Sequence, residues 1–159
     1  MNRRNTIRVL SILCLLSVSA MILALCRGRP AAEFVPPPFE PGAIKSISKP
    51  SQNTDIQTLD VGVFRVALCG EVSATGGRAQ VWFTNPEGNE VWLRLRILDG
   101  SGKILGQTGI VRPGEYVQGV ALEEVPEAGT PIVLKVMAYE PETYHGAGAL
   151  TLNTVISAE

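Results

Sequence analysis

The hydrophobic and polar positions of this chain change rhythm twice. Residues 9–26, VLSILCLLSVSAMILALC, form an apolar run without a charge. Residues 30–55 hold few periodic apolar positions. From Ile56 onward apolar residues recur at every second position between short turn-forming clusters. Phe64, Val66, Leu68 and Val72 alternate with Arg65, Ala67, Cys69 and Glu71. Val81 and Phe83 alternate with Gln80, Trp82 and Thr84, and Val91, Leu93, Leu95 and Ile97 with Trp92, Arg94 and Arg96. Ile104–Val111 is a glycine-interrupted run, Tyr116–Leu122 follows Arg112-Pro113-Gly114-Glu115, and Ile132, Leu134, Val136 and Ala138 alternate with Val133, Lys135, Met137 and Tyr139. Leu150, Leu152, Thr154 and Ile156 close the pattern. Period-two alternation marks strands with one buried face. About seven such strands within about 100 residues predict an all-β, two-sheet antiparallel β-sandwich, with a small barrel as the alternative.

The best-defined segment runs from Ala79 to Val111. Asn85-Pro86-Glu87-Gly88-Asn89 places Pro and Gly where a tight turn wants them. Read as a hairpin, this turn pairs Phe83 with Val91, Val81 with Leu93, Trp82 with Trp92 and Gln80 with Arg94. The first two pairs are apolar and face the core; the others face outward. Both tryptophans would then sit opposite one another beside Arg94 and Arg96. The second turn, Asp99-Gly100-Ser101-Gly102, admits two registers.

The apolar run is flanked by NRRNTIR and by Arg27. As a helix it would be about 27 Å long, close to the hydrocarbon thickness of a bilayer. The basic leader favours a cytoplasmic N-terminus and an extracytoplasmic body. Three devices compete: an uncleaved single-pass signal anchor, a cleaved signal peptide, and a lipoprotein modified at Cys26, where Leu25 replaces the small residue of a lipobox. The domain reading is therefore 1–29 for the anchor or signal peptide, 30–55 for a linker and 56–159 for the sandwich. The linker, with six of the 11 prolines and a Pro36-Pro37-Pro38 run, reads as a semi-rigid polyproline II spacer.

Five of the 14 basic residues precede residue 30, and the remaining nine face all 15 acidic ones, which leaves residues 30–159 at −6. An acidic body argues against nucleic acid. Cys14 and Cys26 lie in the apolar run, so Cys69 has no disulfide partner within the body. Cys69 itself falls on the outward side of its strand and reads as a small packing residue. His145 is the only histidine, which excludes His clusters for zinc. Glu140 and Glu142 lack the spaced acidic ligands of a calcium loop, and no glycine-rich turn leads into a helix to cradle phosphate. The residues point to no enzyme and no cofactor. Trp82, Trp92, Arg94 and Arg96 are the candidate binding residues, because Trp and Arg favour contact hot spots and aromatic faces suit sugars or peptides.

Leu95-Arg96-Ile97-Leu98-Asp99, then Gly102, Leu105 and Pro113-Gly114-Glu115, resemble the FxLYD type of bacterial extracellular domain over roughly residues 66–122. Leu95, Ile97 and Leu98 stand where the name-giving residues would be. The resemblance implies an immunoglobulin-like, envelope-located, non-catalytic module. The expectation is thus a membrane-tethered interaction or structural module of a bacterial cell envelope, partnered by an envelope protein or the cell wall. A cell-wall glycan or peptide binder using the two tryptophans is the first alternative. A secreted protease-inhibitor-like sandwich presenting loop 140–148 is the second.

Overall fold

The computed structural model describes residues 3–26, 34–45 and 56–157; expectations that fall on 27–33 and 46–55 lie outside the described residues. The chain divides into two compact units, Met1–Val35 and Pro36–Glu159.

The first unit contains α1 (Arg3–Cys26). Ser11 and Ser17 donate their hydroxyls to the carbonyls of Ile7 and Cys14, which satisfies them within the helix. The described side chains of the uncharged run, Ser11–Met21, are all exposed. No helix among the described residues is long and apolar enough to cross a membrane.

The second unit is all-β, with ten strands among the described residues where the alternation predicted about seven. They are β1 (Ile44–Lys45), β2 (Ile56–Asp60), β3 (Arg65–Cys69), β4 (Val72–Thr75), β5 (Arg78–Asn85), β6 (Trp92–Asp99), β7 (Ile104–Gln107), β8 (Glu115–Ala121), β9 (Pro131–Tyr139) and β10 (Gly146–Ser157). One layer contains β2, β3, β5, β8 and β1, with β4 beside the first half of β5. The other orders β7-β6-β9-β10. The end of β10 pairs in parallel with β4, so the two layers form one curled sheet folded into a β-sandwich. A bridge between Gly106 and Leu122 joins the layers again at β7 and β8.

Period two places the core. Val81, Phe83, Leu93, Leu95, Ile97, Ile132, Leu134 and Val136 are buried between the layers. The predicted 81–93 hairpin does not form. β5 pairs with β3, β4 and β8, and β6 with β7 and β9, so residues 86–91 carry the chain across the sandwich instead of back along one sheet. Buried Asn85 sets this crossing. Its Nδ2 donates to Val91 O and Val111 O, each at 2.9 Å. Asn89 Nδ2 donates to Asn85 Oδ1 at 2.6 Å and to Arg65 O at 2.6 Å, so two side-chain amides hold four segments. Cys69, expected on an outward face, is buried, because all of Val66–Cys69 is covered at the end of β3.

The second turn takes one register, with Leu98 opposite Ile104 and Ile97 opposite Gly106. Asp99 Oδ1 accepts from Ser101 N, Ser101 Oγ and Lys103 N, and Gly102 supplies φ +88°. The bond from Ser101, followed by that from Lys103 N, holds the Asp99 carboxyl below its ordinary value. A lowered folded value means that this support is complete above the ordinary carboxylate range and is lost as pH falls through the lowered value. The Ser101 and Lys103 amide resonances are therefore expected to hold steady through the ordinary carboxylate range and to move only below it. In Asp99→Asn that titration should vanish.

Part of the expected spacer belongs to the body. Ile110 N donates to Pro38 O and Glu40 N to Ile110 O, both at 2.8 Å, and Gly109 N donates to Glu40 Oε2 at 2.6 Å. Residues 38–40 thus form a strap beside Ile110, and β1 pairs with β8 further on. The body begins near Pro36, not at Ile56. The bonding uses Pro38 as acceptor and Glu40 as donor, so the missing N–H groups of Pro38 and Pro41 are not required.

Candidate functional site

Trp82 and Trp92 are not a pair. Trp82 lies in β5 at a bulge between Gln80 and Phe83, with φ +44°. Its ring stacks on Tyr116 of β8 at 5.9 Å and 14°. Trp92 opens β6 in the other layer and is enclosed by two edge-on rings, Phe39 of the strap at 5.0 Å and Tyr144 at 5.2 Å. The two tryptophans therefore occupy the outer faces of different layers, each engaged by another ring.

Arg94 and Arg96 stay with Trp92. In the β6–β9 register, Trp92 faces Tyr139, Arg94 faces Met137 and Arg96 faces Lys135. All six side chains are half-buried. The core-facing partners are Leu93–Ala138, Leu95–Val136 and Ile97–Leu134, which fixes the first set on the outer side. Gln107 of β7 lies opposite Arg96, and Ala149 and Thr151 of β10 lie opposite Met137 and Lys135. The result is one outer face with an aromatic end and a cationic end.

Arg94 Nε donates to Thr108 O at 2.9 Å. Thr108 is itself buried, with Oγ1 accepting from Leu95 N and donating to Gly109 O, so the Arg94 stem is anchored to a fixed carbonyl. Burial first, and then the Arg96 charge, push the Arg94 guanidinium below its ordinary value, with Tyr139 acting in the opposite sense. Arg96 Nε is buried and has no hydrogen-bond partner among the described residues. At the aromatic end, Arg112 lies 3.7 Å over the Phe39 ring and 3.7 Å from Glu115, so its charge is matched within the body.

Loop 140–146 closes the aromatic end. Glu140 N donates to His145 O and Tyr144 N to Glu140 O, while His145 Nδ1 lies 3.8 Å from Glu140 Oε2. Glu142 and Tyr144 have positive φ, +65° and +56°, a strained state for such side chains. The loop is a closed turn that lays Tyr144 against Trp92. Among the described residues no group of three or more His, Cys, Asp or Glu is placed to hold a metal ion.

The alternation around Trp92, Arg94 and Arg96 marked their outward side. Lys135, Met137 and Tyr139 carried the same alternation but could not be placed beside them, since the β6–β9 pairing joins positions about 40 residues apart. Phe39 gave no periodic signal at all.

No family model matches the chain, and no curated protein matches it. Among solved structures, it is similar to CopC from Methylosinus trichosporium OB3b, at 16% identity with a TM-score of 0.37, over 65% of this chain and 94% of that one.

Proposed function

We propose that the chain is a membrane-tethered, extracytoplasmic β-sandwich acting as an interaction module of a bacterial cell envelope, with the outer face of β6 and β9 as its docking surface. The uncharged run 9–26 between Arg8 and Arg27 supports the tether and the outward placement of the body. The immunoglobulin-like character implied by the FxLYD resemblance suits such a module. The observation that carries the reading is the company on one face: Trp92, Tyr139, Met137, Arg94 and Arg96 are the residue types enriched at the centres of protein contacts.

A photo-reactive amino acid placed at Met137 in the full chain tests it in cells. A discrete protein adduct should form there and not from Val63, an exposed position in the β2–β3 turn. Absence of an adduct at 137, or equal adducts at both positions, would overturn the docking surface. Degradation of the body by protease added outside spheroplasts checks its placement; a protected body would overturn the export reading.

A further inference from the structure

Three cations crowd the far end of the docking face. Arg96 lies directly opposite Lys135, and Arg94 projects from the same face two residues along β6. Like charges placed directly across a strand pair weaken it. The rows around them supply no compensation: Gln107 from β7 and Thr151 from β10 flank Arg96 and Lys135, Ala149 flanks Met137, and Gly146 flanks Tyr139. The side-chain ion pairs of the described residues are Lys103–Glu124, Arg112–Glu115 and His145–Glu140, none of which involves the three. The body carries a surplus of acid elsewhere, so this is a local concentration of positive charge unmatched among the described residues. Thr108 O fixes Arg94, and Arg96 Nε has no partner among the described residues.

Extending the docking reading above, we propose that this face binds an extended acidic segment of a partner protein, whose alternate carboxylates pair with Arg94 and with Arg96 and Lys135. The spacing favours it. Residues two apart on a strand lie about 7 Å apart, as do alternate side chains of an extended peptide. Guanidinium groups take carboxylates through paired N–H donors. The intervening side chains of the segment would lie on half-buried Met137 and Tyr139, which hold one another through the bond from Tyr139 Oη to Met137 Sδ. A ring-stacked sugar fits less well, because Trp92 is already enclosed by Phe39 and Tyr144.

The test uses the full chain in a neutral detergent and a fluorescent octapeptide with Glu at alternate positions. Its Gln counterpart and inorganic polyphosphate serve as comparisons. The Glu peptide should bind, weaken as salt is raised, and lose about tenfold or more in affinity with R94Q/R96Q, at about 1.4 kcal/mol per decade. Lys45→Gln, an exposed site on β1, should leave binding unchanged. R94Q/R96Q should still melt cooperatively within a few degrees of the parent, since loss of the Arg94 bond to Thr108 O is offset by relief of the opposed like charge, which shows that the double variant is folded. The proposal is overturned by absence of Glu-peptide binding, by equal binding of the Gln peptide, by indifference to R94Q/R96Q, or by polyphosphate binding there in preference to the peptide. Self-association through the face that R94Q/R96Q abolishes would overturn it too. A Met137 adduct that survives R94Q/R96Q would overturn the acidic partner alone, whereas no Met137 adduct would overturn the docking surface itself.

Discussion

Asn85→Ala is expected to cost about 3 kcal/mol of stability, seen as a drop in Tm of roughly 10–20 °C. Asn85 is fully buried. Its amide supplies donors to Val91 O and Val111 O, and its Oδ1 accepts from Asn89. Alanine removes all three bonds without bringing in water as a ready substitute. Val111 O keeps its bond from Leu93 N, so Val91 O and the Asn89 amide carry most of the loss. An orphaned buried polar group costs about 1–3 kcal/mol. Asn85→Asp should be at least as damaging near neutral pH, because it turns a donor into a buried charge facing two carbonyls. Its folded pKa would be raised, so the native state would bind the extra proton and stability would recover as pH falls. Thermal melts across pH check both variants. A Tm for Asn85→Ala within about 3 °C of the parent would show that the crossing is held by packing alone.

Gly109→Ala should release the strap. A Cβ at Gly109 would stand 2.7 Å from Pro38 O and from Glu40 N, and both obstacles are backbone. The strap must move, which sacrifices its two backbone bonds to Ile110, the bond from Gly109 N to Glu40 Oε2, and the Phe39 contact with Trp92. The loss is expected to be about 2–3 kcal/mol, concentrated in the strap. Amide exchange at Glu40 and Ile110 should accelerate sharply while Leu95 and Val136 in the core keep their protection. Phe39→Ala, which adds no wedge, should keep both amides slow while freeing one side of Trp92. Unchanged exchange in Gly109→Ala would mean that the strap accommodates a methyl group and is looser than its bonds imply.

These two positions also show where sequence reading stops. Alternation correctly put Val81, Phe83, Val91 and Leu93 on the core side, because a strand's pleat assigns faces whatever its neighbour is. It could not say which strand lies alongside. A turn such as Asn85–Asn89 looks the same whether it returns within one sheet or crosses to the next, and here the choice rests on where two side-chain amides find carbonyls that come from residues 65, 91 and 111. The strap failed for a different reason. Proline-rich composition describes a segment that cannot build a ladder of its own, yet two bonds and one aromatic ring suffice to attach it to an existing edge. The candidate site was half legible: Arg94, Arg96 and Trp92 were rightly turned outward, Trp82 was wrongly placed beside them, and Lys135, which gives the cationic end its character, became a neighbour only through the pairing of β6 with β9.

The strap also sets an order of events under load. It is the first part of the body reached along the chain after residue 35, and Phe39, its central residue, lies against Trp92 at the aromatic end of the proposed docking face. Tension entering from the N-terminal side would reach the Pro38–Glu40 bonds before any core strand, and their rupture would withdraw Phe39 from Trp92 while the sandwich stayed intact. Under the proposed tether, the strap would act as a mechanical fuse whose release is reported at Trp92, the ring that Phe39 covers.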